Sequence, residues 1–254
     1  MPDLEQIVVR ALFVGIRVGS LMVFAPFFSN LAIPVRAKAA LTVMLTVVLY
    51  PVYSPQAVPQ NLGSWIAVVS GEVVMGLLLS LTLHFVFEGF RMAGQIIGFQ
   101  VAFSLANIID PNTQVDTPVL STFHQIFALL IFLQFDVHHW IVRGLGKSFE
   151  YAPPGTAVAS LAATSELLHL AGGMWIIGVQ IAAPVLLATM VADVAMGFLA
   201  KIAPQLPILF VGISIKSLLA FVVLLGTVAF WPRLLERYFL EAIQSTERLL
   251  LLTR

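Results

Sequence analysis

The chain has 254 residues, 59% of them hydrophobic and only 10% charged, and its formal net charge is zero. Soluble domains carry about 25% charged residues, so this composition excludes an ordinary water-soluble domain. The sequence contains no cysteine, which excludes disulfides, thiol nucleophiles and cysteine-ligated metals. The balanced charge provides no long-range field that would attract nucleic acid, and the length predicts a single domain over residues 1–254.

The first apolar segment lacks the features of a cleaved signal peptide. Asp3 and Glu5 precede it, where a signal peptide needs basic residues, and the run 7–28 is longer than a typical signal core. We therefore expect this segment to be retained.

Seven apolar segments follow one another along the chain, separated by prolines and polar residues. Several reach the roughly 20 residues that a helix needs to cross a hydrocarbon core. The sequence therefore predicts an all-α hydrophobic membrane-type protein with about six to seven helical segments, some of them broken or kinked. The segments are residues 7–28, 37–52, 65–87, 90–109, 119–142, 172–200 and 208–231.

Basic residues follow the odd-numbered segments, whereas residues 51–63 carry no charge and residues 110–118 carry only acidic ones. Cytoplasmic loops are enriched in lysine and arginine. The pattern predicts an external N-terminus and a cytoplasmic C-terminus, with Lys201 as the one exception. The basic residues that fit the pattern are Arg36, Lys38, Arg91, Arg143, Lys147, Arg233, Arg237 and Arg248.

Ionisable side chains inside the apolar segments are candidates for function, because burying them in lipid is costly. His84, Glu88 and Arg91 are spaced so that they share one helix face. They could form a proton relay or, as we favour for residues beside a predicted loop, a satisfied ion pair at a segment end. The other candidates are Arg10, Arg17, Glu72, Asp136, His138, His139, Asp193 and Lys216.

The run of Asp136, His138 and His139 also raises the possibility of a metal site. Adjacent histidines on a helix point about 100° apart, so we do not expect both to bind one ion. No metalloprotease, phosphate-binding or nucleophile motif occurs in the sequence. We therefore expect no catalytic residues, no bound metal, no cofactor and no enzymatic activity.

Small and amide side chains indicate close helix packing. Gly15 and Gly19, like Gly94 and Gly98, have the G-x-x-x-G spacing that lets helix backbones approach closely. Gln95 and Gln100 lie in the same fourth segment, and amide groups would lack hydrogen-bond partners in lipid. This segment is therefore predicted to pack against protein.

The fourth segment ends in an apolar stretch that stops at Asp110 and Pro111, a helix-ending, turn-starting pair. Such a tip could occlude a channel, or it could be a re-entrant or buried core loop. The residues of this tip are Leu105, Ala106, Asn107, Ile108 and Ile109.

Short motifs along almost the whole chain resemble the FliR/SctT family of type III export-gate proteins. They are AGQIIGFQ at 93–100, SLA at 104–106, DP at 110–111, TPVL at 117–120 and APQL at 203–206, followed by Gly212 and Lys216. The fourth segment lacks a pattern associated with injectisome relatives, which favours the flagellar branch.

The resemblance implies a non-enzymatic subunit of the flagellar export gate in the bacterial inner membrane, within the basal body. It implies assembly with FliP-like, FliQ-like and FlhB-like subunits into a helical gate, contact with membrane lipid, and an entry pore for unfolded protein substrates. It also assigns the tip at 105–109 as a pore plug. Gln95, Gln100, Asp110, Gln205 and Lys216 are the candidate polar gate or subunit contacts.

Two alternatives remain open. One is an injectisome subunit of the SctT type. The other is a proton-coupled transporter of small solutes, with Glu72, Glu88 and Asp136 as proton carriers, although the two halves of the chain show no repeat symmetry.

Overall fold

A computed structural model of the chain describes residues 4–28, 33–53, 59, 61–101, 119–156, 161–205 and 208–252. Within these ranges the chain forms eight α-helices and no strand. They are α1 (Leu4–Phe24), α2 (Val35–Tyr53), α3 (Leu62–Gln100), α4 (Val119–Gln134), α5 (Val137–Tyr151), α6 (Leu161–Ile202), α7 (Ile208–Val228) and α8 (Trp231–Leu252).

Five of these helices are long and apolar enough to cross a membrane, and a sixth span is possible if the bent pair α4 and α5 counts as one. The five are α1, α2, α3, α6 and α7. The prediction of an all-α, membrane-type protein is therefore confirmed.

The prediction of separate third and fourth segments is wrong. Residues 62 to 100 form the continuous helix α3, so Arg91 lies within a helix and not in a loop. The helix continues through Gly89 although glycine disfavours helices. Another chain segment approaches too closely for a side chain there, since a methyl group at Gly89 would lie 2.8 Å from Met174 O.

The fifth predicted segment is broken. Helices α4 and α5 are bent by 69°, and Asp136 between them has φ 55°, a left-handed conformation that ends a regular helix. Arg143 and Lys147, predicted to lie in a loop, are on α5. The C-terminal helix α8 is a further element that the apolar segments did not predict, because its charged and apolar residues alternate on two faces.

The chain divides into two compact units, each with its own core. Unit 1 comprises Met1–Phe85, Phe132–Ala171 and Tyr238–Arg254, and unit 2 comprises Val86–Ile131 and Gly172–Arg237. The single-domain expectation stays a prediction.

In unit 1, α1 crosses α3 at Gly76. A methyl group at Gly76 would lie 1.8 Å from Ser20 Oγ and 2.6 Å from Arg17 O, so the two backbones meet where no side chain fits. Phe13 and Met75 are buried beside this crossing. Close backbone approach at small residues is the usual packing of membrane helices.

In unit 2, an aromatic cluster forms the centre of the core. Phe90 is fully buried and meets Trp231 edge to face, with the ring centroids 5.1 Å apart. Aromatic pairs favour this arrangement because the positive ring edge faces the negative ring face.

Candidate functional site

A fully buried ion pair lies in the core of unit 1. Arg17 on α1 donates from Nε to Glu72 Oε2 on α3 at 2.7 Å, and neither side chain is exposed. Arg17 lies on a mainly apolar helix, so its buried charge needs a partner within the protein. The two residues are 55 positions apart in the sequence, and they fix α1 against α3.

Further groups complete this buried site. Arg17 Nη1 donates to Ser148 O at 2.9 Å and to Ser148 Oγ at 3.2 Å, and the guanidinium lies 4.3 Å from the centre of the Phe149 ring. The backbone N–H of Gly155 donates to Glu72 Oε1 at 2.7 Å. One guanidinium nitrogen, Nη2, is buried without a hydrogen-bond partner among the described residues.

This geometry argues against Glu72 as a proton carrier. Both carboxylate oxygens of Glu72 already accept hydrogen bonds, one from Arg17 and one from Gly155. A group that shuttles protons has to meet water or another carrier, whereas Glu72 is fully buried. In some proteins, buried ion pairs specify one packing arrangement, and we infer this role for Arg17 and Glu72.

The second predicted proton carrier, Glu88, forms a local ion pair. Arg91 Nε donates to Glu88 Oε2 at 2.8 Å, one helical turn away on α3. Both side chains are partly exposed, and exposed pairs with this spacing contribute little to stability. The geometry matches a satisfied ion pair.

Lys216 pairs with Asp193. Lys216 Nζ on α7 donates to Asp193 Oδ2 on α6 at 2.7 Å, with Asp193 about half exposed. The surrounding surface of α6 is apolar, with Met190, Val191 and Val194 exposed. A polar pair on an apolar face is a feature expected where a second protein packs. The subunit contact predicted for Lys216 stays a prediction.

The predicted packing glycines differ in their surroundings. A methyl group at Gly15 would lie 3.4 Å from Thr46 Oγ1 on α2, and one at Gly19 would lie 3.6 Å from Thr42 Cγ2. At Gly94 it would lie only 2.6 Å from Ser121 Cα. A methyl group at Gly98 would have no atom of another described segment within 4 Å.

The predicted plug residues Leu105, Ala106, Asn107, Ile108 and Ile109, together with Asp110, lie outside the described residues. The residues on either side are well anchored within unit 2. Ser217 Oγ donates to Val101 O at 2.9 Å, and Leu120 and Ser121 pack against Gly94. Of the other predicted contacts, Gln95 and Gln100 are half-buried on α3, and Gln205 is exposed in the turn after α6.

Sequence reasoning missed His124. It is fully buried in unit 2, where its Nδ1–H donates to Leu120 O at 2.7 Å, and its ring centre lies 4.7 Å from that of Trp231. Nε2 has no hydrogen-bond partner among the described residues. The signal that could have revealed it is its position between Phe123 and Phe127, within a run of aromatic and aliphatic residues.

The expectation that His138 and His139 point apart is wrong. Their ring centres are 4.1 Å apart, and one ligand atom from each of Asp136, His138 and His139 lies within 4.8 Å of the others. At the first turn of α5 there is no preceding helical turn to restrict the side-chain rotamers, so the two rings can turn towards each other.

Comparison with known proteins assigns the family. The family described as bacterial export proteins, family 1, matches residues 8–242. The flagellar biosynthetic protein FliR of Escherichia coli (strain K12) is 32% identical over 199 residues, covering 78% of this chain and 76% of that protein. FliR of Bacillus subtilis (strain 168) is 27% identical over 244 residues, covering 95% and 94%.

A relative with another name also matches. The surface presentation of antigens protein SpaR of Shigella sonnei is 32% identical over 149 residues, covering 59% of this chain and 57% of that protein. The family match extends over most of the chain, helices and connecting segments alike, so this protein belongs to the family of bacterial export proteins, family 1. The FliR/SctT resemblance read from the motifs is confirmed.

Proposed function

We propose that this chain is a non-enzymatic subunit of the flagellar protein export gate. It forms the entry pore for unfolded substrates together with FliP-like and FliQ-like subunits, and it has an FlhB-like subunit as a further partner. The observation that carries the proposal is the match to FliR proteins over nearly the whole chain. The apolar helices support residence in a membrane, which we assign to the bacterial inner membrane at the flagellar basal body.

A pore subunit of this kind needs apolar surface for its neighbours as well as for lipid. Helix α2 has no buried residue, and exposed apolar side chains run along α6 and α7, including Phe198, Ile202 and Leu218. Large apolar patches mark contacts with protein or membrane. The Asp193–Lys216 pair within this surface is the polar contact that we assign to a neighbouring subunit.

The pore would be closed by the apolar residues 105–109. In support of this role, the described chain leaves α3 at Val101, which accepts a hydrogen bond from Ser217, and resumes with Leu120 and Ser121 packed against Gly94. Val101 and Gly94 are about 10 Å apart along the helix, from its rise per residue. An apolar constriction can close a pore by packing and by excluding water.

Deletion of residues 105–109 tests the plug. With the deletion variant assembled with FliP-like and FliQ-like subunits in cells, we expect an increased leak of ions across the inner membrane, measured by dissipation of the membrane potential. Asn112→Ala is the matched control and should leave the leak at the wild-type level.

Co-purification of the partner subunits shows that the variant complex is assembled. Wild-type leak in an assembled deletion complex would refute the plug role. If the deletion prevents assembly, Ile108→Gln and Ile109→Gln provide variants of unchanged length, and the same leak measurement applies to them.

The SpaR match supports a second candidate, an injectisome subunit of the SctT type. The flagellar and the injectisome candidates differ in the partner subunits with which they would assemble. Isolation of the native complex, followed by mass spectrometry, should recover the flagellar subunits; recovery of injectisome subunits alone would favour the second candidate. The small-solute transporter is disfavoured by the buried, doubly bonded Glu72.

A further inference from the structure

We propose that Asp136, His138 and His139 form a binding site for a divalent transition-metal ion at the bend between α4 and α5. This inference is independent of the proposed function in the export gate. Its basis is the position of three ligand-type side chains, two imidazoles and one carboxylate, on four consecutive residues that begin with the left-handed Asp136.

The separations between ligand atoms suit one ion. His139 Nδ1 lies 3.3 Å from Asp136 Oδ1, and His138 Nε2 lies 3.9 Å from the same oxygen. Zinc–nitrogen and zinc–oxygen bonds of about 2.0–2.2 Å place tetrahedral ligands roughly 3.3–3.5 Å apart. The Asp136–His139 pair already has this spacing, and a small rotation of the His138 side chain provides the third ligand.

The two histidines would bind through different nitrogens. His139 presents Nδ1, the nitrogen nearer its backbone, and His138 presents Nε2, the more distant one. Because the two nitrogens lie at different distances from the backbone, both can approach one ion although adjacent helical residues point about 100° apart. The left-handed backbone at Asp136 turns the carboxylate towards the first turn of α5, where both rings lie.

The donor set selects the class of ion. Imidazole nitrogens with one carboxylate favour zinc, nickel, cobalt or copper, whereas magnesium and calcium prefer oxygen donors alone. The side chains of Asp136 and His139 are 67% and 63% exposed, so an ion can enter, and three protein ligands leave a coordination position for water.

The affinity should be modest. His138 Nδ1 is buried without a hydrogen-bond partner among the described residues, so no second group orients this ring. Loss of such an outer partner weakens metal binding by about 10–100-fold. We therefore expect micromolar binding of zinc, weaker than that of a closed structural zinc site.

The test uses the purified full chain in detergent, carrying an affinity tag without histidine. Titration with Zn²⁺ by calorimetry should give one ion per chain. Each of His138→Ala and His139→Ala should weaken binding at least about 10-fold, because loss of a direct ligand costs no less than loss of an outer partner. His169→Ala, which removes an exposed histidine on α6, is the matched control and should bind as the wild type does.

Two results would overturn the proposal. One is the absence of one-to-one Zn²⁺ binding by the wild-type chain up to millimolar concentration. The other is unchanged binding by the His138→Ala/His139→Ala double variant. Circular dichroism checks that helix content is preserved; if an alanine variant is unfolded, His138→Gln and His139→Gln replace it, and unchanged Zn²⁺ affinity in them counts equally against the site.

Discussion

At the scale of single residues, the buried charges determine how unit 1 packs. Arg17 and Glu72 are both removed from solvent, and the cost of desolvating them is offset by their ion pair and by hydrogen bonds from Gly155 and to Ser148. Such a pair adds little net stability compared with apolar residues, yet breaking it leaves a buried charge without compensation. We infer that the pair acts mainly by excluding other arrangements of α1 and α3.

Replacing Glu72 by glutamine should destabilise the protein strongly. Glu72→Gln leaves the Arg17 guanidinium buried opposite a neutral amide, and removal of one partner of a buried pair costs about 3–5 kcal/mol. We expect a clear drop in the melting temperature of the detergent-solubilised chain, measured by intrinsic fluorescence.

Glu88→Gln is the control for this experiment. It removes the same charge from the partly exposed pair with Arg91, where the expected cost is about 0–1 kcal/mol. The double variant Arg17→Met/Glu72→Leu should recover part of the lost stability because no charge is left unpaired. If the Glu72→Gln and Glu88→Gln variants had the same melting temperature, the role assigned to the buried pair would be contradicted.

At the scale of helices, glycines decide how closely neighbours approach. The G-x-x-x-G spacing occurs twice in the sequence, but the four glycines have different environments. Gly94 meets the backbone of α4, whereas the described ranges contain no atom near a methyl group placed at Gly98. Spacing alone predicts that a close approach is possible, and the positions of the other helices decide where it occurs.

Gly94→Ala should therefore separate α3 from α4. The new methyl group would lie 2.6 Å from Ser121 Cα and 2.7 Å from Leu120 O, and backbone atoms cannot swing aside as a flexible side chain can. Overpacking of this kind costs about 1–3 kcal/mol, measurable as a lower melting temperature.

Gly98→Ala, on the same helix and one turn later, is the matched variant. Alanine is favoured over glycine in a helix by about 1 kcal/mol, so its melting temperature should be equal to or above that of the wild type. Equal decreases in the melting temperatures of Gly94→Ala and Gly98→Ala would mean that the contact between α3 and α4 is not the cause of the destabilisation.

At the scale of the whole molecule, helix lengths exceed those of simple membrane spans. Helices α3 and α6 contain 39 and 42 residues, which corresponds to about 58 and 63 Å at the usual helical rise. A hydrocarbon core is about 30 Å thick. Each of these helices therefore reaches well beyond a single bilayer core.

The continuity of α3 also changes the count of crossings. Five crossings place the two termini on opposite sides of the membrane, whereas six, with α4 and α5 as one span, place them on the same side. The cytoplasmic C-terminus was predicted from basic residues after several segments, and one of them, Arg91, lies within α3 and not in a loop. Five crossings, like seven, are an odd number and lead to the same orientation. We therefore predict five crossings and a cytoplasmic C-terminus.

Single cysteines test the orientation directly, since the natural chain contains none. In intact cells, Gln60→Cys should react with a membrane-impermeant maleimide, and Thr253→Cys should react only after the membrane is permeabilised. The unsubstituted chain controls for background labelling. Labelling of Thr253→Cys in intact cells would instead indicate six crossings.

The sequence by itself determined the class of this protein and its family. Apolar content and segment length are sums over neighbouring residues, so hydropathy predicted the helical, membrane-type fold without knowledge of any contact. Short motifs were sufficient to indicate the export-protein family. The same local information identified Arg17 and Glu72 as costly charges and Gly94 as a packing position.

Only the tertiary structure decided which of these groups meet. Arg17 pairs with a residue 55 positions away, Met174 lies so close to Gly89 on α3 that no side chain fits there, and the left-handed Asp136 interrupts the fifth predicted segment between α4 and α5. Each outcome depends on the packing of segments far apart in the chain or on a single backbone angle. Periodicity and composition average over such features, whereas pairing energies depend on distances between particular atoms.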